Sequence, residues 1–260
     1  MAKSATKVAD TNGHPSDVEA SDSPVVTAAP VAQINIQRIA AKAIRVPVVG
    51  TAPLIVHNWS KKAKQQMLDA QQGKRKVKEV RDPEADYNAS FYRIGVPEAG
   101  ERQRYGFPVL GFKAATISAA RFYGKDVTMT MLKQCLFFRG VMTAADNQQL
   151  VEIDYEWDDE MASLALDDPR RNPHMREDVV RLGQGSTDLR YRAEFFPWRA
   201  ELVVTYVESA LSQDSVLSLI DSGGMGVGVG EWRPQRGGQY GTYEIAEDRP
   251  VREYVPGEDL

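Results

Sequence analysis

Residues Ala200–Ile245 read AELVVTYVESALSQDSVLSLIDSGGMGVGVGEWRPQRGGQYGTYEI, and this stretch decides the fold. Ala200, Leu202, Val204 and Tyr206 alternate with Glu201, Val203 and Thr205, the period-two pattern of a strand with one buried face. Ser212–Asp221 then reads as a helix, with Val216, Leu217 and Ile220 facing inward. Glycines follow at 223, 224, 226, 228, 230, 237, 238 and 241, enclosing Trp232, Arg233 and Arg236, before a closing strand with Tyr240, Tyr243 and Ile245. Strand, helix, turn and strand in close order form one unit of an α+β fold. Glycine removes the Cβ that holds another backbone at a distance, so the turn reads as a stripped strip flanked by two guanidiniums and an indole. A phosphodiester chain is expected to lie against it.

Working outward, Val151, Ile153, Tyr155 and Trp157 alternate with Glu152, Asp154 and Glu156, a half-buried antiparallel strand. Ala89–Ile94 and Tyr105–Val109 read as strands around the turn-rich Gly95–Gly100, and Gly111–Tyr123 as a helix whose Ala114, Ala115, Ser118, Ala119 and Ala120 permit tight packing. Ile44, Val46 and Val48 mark another strand, which Pro47 assigns to a sheet edge. Pro53–Val56 is a short apolar run. Ser60 caps a helix that Gly73 stops, and Gly73–Glu84 is a basic loop closed by Asp82-Pro83. Met161–Thr187 contains Pro169, Pro173, Gly183 and Gly185 with no sustained period, so a long functional loop is expected there. The expected fold is therefore α+β: a ferredoxin-like or RRM-like antiparallel sheet with helices on one face and a loop inserted at about 158–188. Met1–Ala32 has the composition of a disordered leader, residues 33–248 form a single domain, and 249–260 are an acidic tail.

The 260 residues, 42% hydrophobic and 26% charged, suffice for a sizeable core. No apolar run approaches the roughly 20 residues of a membrane span, and the N-terminus lacks the pattern of a secretory signal. The single cysteine, Cys135, reads as a buried thiol in a reducing compartment, and the cytoplasm follows as the expected location. The net charge of −4 conceals segregation: Lys61–Arg81 holds eight basic residues against two acids, while Glu152–Asp168 holds eight acids and no base. Local field rather than total charge decides where a polyanion sits.

Catalysis finds little support. His14, His57 and His174 stand at no metal-ligand spacing, and neither a G-x-S-x-G elbow nor an H-E-x-x-H helix occurs. Asp154, Glu156, Asp158 and Asp159 read as a solvated face rather than a magnesium site. A G-x-G-x-x-G fingerprint would need glycine at 229 or 231, where Val229 and Glu231 stand. The expectation is a protein without cofactor, metal site or catalytic residues.

Nucleic-acid contact fits better, because single strands are held where bases stack on aromatics and basic groups track phosphates. The candidate contacts are Lys74, Arg75, Lys76 and Lys78 in the first basic loop, Arg176, Arg181, Arg190 and Arg192 in the second, and Trp232, Arg233 and Arg236. Tyr191, Phe195, Phe196 and Trp198 interleave with the second set, although core packing is the better account of the Phe195–Trp198 group.

Phe107–Arg121, FPVLGFKAATISAAR, with its proline-glycine turn and lysine-bearing small-residue helix, resembles the repeat-associated mysterious protein superfamily, the ferredoxin-like backbone subunits of CRISPR effector complexes. The glycine-rich segment after the last helix is similar to the same family. By that resemblance Lys113, Gly226, Gly228, Gly230, Arg233 and Arg236 lie along an RNA-binding face, and Met161–Thr187 resembles the family's thumb. PLIVHNWSKKAKQQM, PHMREDVVRLGQGSTDLRYR and GVGEWRPQRGGQYG are also similar to a group of phage and prophage proteins. The expected partners are single-stranded nucleic acid, RNA or DNA, further copies of the chain in a head-to-tail multimer, and other subunits of a ribonucleoprotein or phage complex, with no membrane. The alternative is a phage structural or assembly protein that self-associates without nucleic acid.

Overall fold

The computed structural model describes residues 35–58, 61–74, 80–99, 101–143, 148–181 and 187–260. The expected leader and Arg75, Lys76 and Lys78 lie outside the described residues. Ile39–Leu260 forms one compact unit. In chain order its elements are β1 (Ala41–Gly50), β2 (Leu54–Val56), α1 (Lys61–Gln71), α2 (Pro83–Ala89), β3 (Tyr92–Ile94), β4 (Arg104–Pro108), α3 (Val109–Ser118), α4 (Met129–Cys135), β5 (Leu136–Arg139), β6 (Val141–Thr143), β7 (Gln148–Tyr155), α5 (Asp159–Ser163), β8 (His174–Arg181), β9 (Thr187–Phe195), β10 (Trp198–Val207), α6 (Gln213–Gly226), β11 (Tyr243–Ile245) and β12 (Arg252–Glu253).

The main sheet runs β11-β1-β10-β7-β4-β3, with β12 also on β1, β5 on β10 and β6 on β7; a smaller sheet runs β2-β9-β8. Every pairing between strands is antiparallel. Ile44, Val46 and Val48 of β1, Leu202 and Val204 of β10 and Ile153 of β7 face a core closed by Phe112 and Ala115 of α3 and Val216, Leu219 and Ile220 of α6. The fold is α+β, of ferredoxin-like type, with α3 and α6 packed against each other and on the sheet.

Five expectations are corrected, four of them in the backbone. First, β1 is not an edge, since it pairs with β10 on one side and with β11 and β12 on the other. Pro47 is tolerated because β11 pairs at Val48–Gly50 and β12 at Ile44–Arg45, and the carbonyl of Pro47 accepts from Ala246 N–H at 2.9 Å in the gap between them. A residue's N–H and C=O point to the same side of a strand, so the missing proline donor falls in that gap.

Second, the expected loop Met161–Thr187 contains the end of α5 and the whole of β8, which pairs with β9 from His174↔Glu194 to Arg181↔Thr187. On one face of this hairpin Met175 and Ala193 meet the core, while the other carries Arg176, Asp178, Arg192 and Glu194. A strand that buries opposite charges against each other shows no apolar alternation. The approach to β8 is fixed by Arg171, whose guanidinium lies 5.0 Å from the Trp157 ring and donates to the carbonyls of Met161, Ala162 and Leu164.

Third, Pro83–Ala89 is a helix capped by Asp82, whose carboxylate accepts from Ala85 N–H at 3.1 Å, so the strand expected from Ala89 begins only at Tyr92. Fourth, α6 runs past Asp221 to Gly226. Cys135, at the end of α4, is half-buried rather than sealed in the core.

Candidate nucleic-acid interface

The glycine segment begins inside α6, and what its glycines approach is their own chain. A Cβ on Gly223 would stand 2.9 Å from the Ala115 carbonyl of α3, and one on Gly224 would strike the Tyr243 carbonyl of β11. Gly226 lies against the Phe122 ring, Gly230 against the Ile55 carbonyl, which a Cβ there would meet at 2.5 Å, Gly238 against Trp232 and Gly241 against Val229. The expected reason for the glycines, an open strip for another molecule's backbone, is therefore corrected: the missing side chains let the loop fold onto α3, β2 and itself. Gly228 and Gly230 also take φ of +69° and +75°, which side chains other than glycine adopt at a cost.

The folded loop sets a distinct group of side chains outward. Trp232 has φ +53°, the one non-glycine residue at positive φ among the described residues, and it is 40% exposed. Its carbonyl accepts from Tyr240 N–H at 3.1 Å, closing the turn beneath the indole. Arg233 donates to the Gly230 carbonyl at 2.9 Å and lies near Gln235 Oε1. Burial, and then the neighbouring Arg236, hold the Arg233 pKa below the ordinary guanidinium value, with Glu231 partly offsetting them. Arg236 is exposed in a short 3₁₀ turn. Beside these residues a cleft of about 170 Å³ opens between α3 and the loop, lined among others by His57, Tyr92, Ala114, Gly228, Arg233 and Gln235. Burial, then Arg192, lower the His57 pKa below its usual value, against the pull of Glu231, whose carboxylate is 3.9 Å away.

Behind the loop lies the charged face of the β8–β9 hairpin. Arg176 pairs with Asp178 at 2.8 Å and Glu194 at 2.7 Å, donates to Tyr240 Oη at 3.2 Å and sits 4.5 Å over the Tyr240 ring. Burial opposes its charge, but hydrogen bonds to Glu194, Asp178 and Tyr240 outweigh it and raise its pKa. Arg192 is 2% exposed, between Asp178 at 3.5 Å and Glu231 at 3.9 Å. Its Nε has no hydrogen-bond partner, and burial lowers its pKa despite both carboxylates.

The sequence candidates therefore divide. Arg233 lines the cleft with Gly228 and Gly230, and Trp232 and Arg236 are exposed neighbours of Arg233 in the same loop. Arg176 and Arg192 turn inward against carboxylates and support the loop from behind. Arg190 lies 3.5 Å from Asp188, Arg181 is exposed at the far end of β8, and Lys74 pairs with Asp69 at 3.0 Å. Lys113 leaves the cleft for the Phe137 ring, 5.3 Å away. Phe195 and Trp198 are core, whereas Phe196 is exposed. His57, Tyr92 and Gln235 were not among the candidates; only the apolar PLIV run before His57 places it, since β2 carries it to the loop.

Among the described residues no group of three or more His, Cys, Asp or Glu side chains could hold a metal ion, and no helix is long and apolar enough to cross a membrane. The sequence matches no protein-family model. It matches no curated protein sequence either. Among solved structures it is similar to the crystal structure of Cmr6 from Pyrococcus furiosus, over 80% of this chain and 100% of that one, at 8% identity and a TM-score of 0.34.

Proposed function

We propose that the protein is a non-catalytic binder of single-stranded nucleic acid, RNA or DNA. The strand follows the loop Val227–Gly241, with a base stacked on Trp232 and phosphates on Arg233 and Arg236. The supporting observation is the backbone of Trp232. Left-handed geometry costs a residue with a Cβ about 1–2 kcal/mol, and a bulky aromatic there is a genuine outlier. Packing does not repay the strain, because the half-exposed indole stands outside the core cluster. Strain held at an exposed aromatic next to Arg233 points to a ligand. Stacking on an aromatic ring with cations alongside is what unpaired strands require.

Anisotropy titrations with labelled single-stranded RNA and DNA oligonucleotides at low salt, against a duplex control, test the proposal. Saturable binding that quenches tryptophan emission is expected. No binding at micromolar protein overturns it. The rival, a self-associating assembly protein, draws on Phe122 and Met225, which are exposed near the end of α6. Nuclease-treated protein that forms particles yet binds no oligonucleotide would establish that rival.

A further inference from the structure

The main sheet has a second face, turned away from α3 and α6. Alternation along the strands sends Ile44 and Val46 to the core and Arg45 to the other side. The register places Arg139 of β5 opposite Val203, Val203 opposite Arg45, and Arg45 opposite Arg252 of β12. Three guanidiniums thus stand in one row across four neighbouring strands, with Arg45 and Arg252 directly paired, an arrangement of like charges that is unfavourable unless anions intervene.

Two sources of negative charge intervene. Glu201 is shared between Arg45 at 2.8 Å and Arg252 at 3.1 Å. The other is the tail: Glu258 accepts from Arg45 Nε at 3.2 Å, and the Asp259 carbonyl accepts from the same guanidinium. Arg139 has no carboxylate among these partners and lies 5.9 Å from the Tyr254 ring, whose centroid is 5.0 Å from Arg45. The tail leaves a cleft of about 230 Å³ unfilled, lined by Arg139, Leu150 and Asp259 among others. Two residues along β5, on the same face as Arg139, the exposed Phe137 ring stands under Lys113. A row of guanidiniums leading to an exposed ring beside a lysine has the chemistry of a single-strand site, phosphates on the row and a base on the ring.

We infer that this sheet face is a second binding site for a single-stranded nucleic acid, and that the acidic tail holds its place, with the Glu258 carboxylate and the Asp259 main-chain carbonyl on Arg45. The ligand class rests on the function proposed above; the site does not depend on the Trp232 loop. The tail is fastened by a two-residue strand and by Tyr254, so an incoming strand displaces acidic side chains rather than core.

Anisotropy with the same oligonucleotides on the full chain reads the effect. Glu258→Gln combined with Asp259→Asn should tighten binding by about threefold or more and steepen its salt dependence, because charge is removed within a Debye length of the strand. Adding Arg139→Gln, or Lys113→Gln as a second variant, should cancel the gain, with thermal melts showing that each variant folds. A tail variant that binds like wild type, or a gain that survives Arg139→Gln and Lys113→Gln, overturns the inference. A gain that persists alongside Trp232→Gly, when Trp232→Gly alone leaves wild-type affinity unchanged, sinks the loop reading and keeps this site. If neither wild type nor the tail variant binds any oligonucleotide, both fall. A tail variant that takes up the free peptide YVPGEDL but no oligonucleotide makes the groove a peptide site, and the inference fails.

Discussion

At Trp232 the proposed binding role and stability can be tested apart at a single residue. Glycine at this position removes a left-handed strain of about 1–2 kcal/mol, so Trp232→Gly should hold or raise the melting temperature. The same change removes the stacking ring, which is worth about 1–3 kcal/mol per base, so affinity for a single strand should fall by tenfold or more. A loss of stability in parallel with affinity would make the indole a structural plug instead. His57 supplies a second test. Burial and Arg192 hold its folded-state pKa below 6.5. Well above 6.5 both folded and unfolded states are neutral there and His57 contributes nothing. As pH falls through about 6.5 the unfolded chain takes up the proton first, so stability declines until the folded pKa is passed and then stays reduced. Wild type should therefore lose stability relative to His57→Gln on acidification from a neutral start; a difference that stays constant with pH would show that the residue is not held neutral. The sequence displayed Trp232 as an aromatic flanked by charge, but it could not show a positive φ. Arg192, equally basic on paper, faces inward, between the carboxylates of Asp178 on the neighbouring strand and Glu231.

The glycines of α6 show where an element's sequence and its structure part. Ser-Gly-Gly-Met-Gly is poor helix sequence, and propensity alone would end the helix at Asp221. It continues because bare backbone at Gly223 lets α3 approach to contact and at Gly224 lets β11 do the same. Tertiary packing outweighs propensity here. Gly224→Ala should gain about 1 kcal/mol of helix propensity and lose about 1–3 kcal/mol to overpacking against Tyr243, for a net destabilisation seen in urea melts. Met225→Ala, on the same turn with its side chain 70% exposed, is the control and should be near neutral. A stabilised Gly224→Ala would show that the approach to β11 is slack. Strands with one apolar face, β7 and β10, were legible because alternation reports burial directly. The strand β8 was not, because its buried face is built from Arg176 and Asp178 packed on Arg192 and Glu194, and a period-two search for apolar residues passes over it.

At the scale of the whole molecule, a net charge of −4 and a pI near 5.5 repel a polyanion at a distance. Any strand must therefore be held by a short-range array of cations, not by a general field. The structure narrows that array, since Arg176 and Arg192, two of the cations in the sequence's second basic run, are consumed by internal carboxylates. What remains at the loop is Arg233, Arg236 and the indole between them and Glu231. Few phosphates can then be neutralised at once, and the salt dependence should be correspondingly shallow. On single strands log K falls with log salt by about 0.7 per phosphate held, so removing both loop arginines by Arg233→Gln with Arg236→Gln should flatten the slope by about 1.4. Arg181→Gln, at the far end of β8, should leave the slope unchanged. A slope that stays the same when both loop arginines are gone would mean the strand is held elsewhere, and the row Arg139–Arg45–Arg252 would be the next place to remove charge.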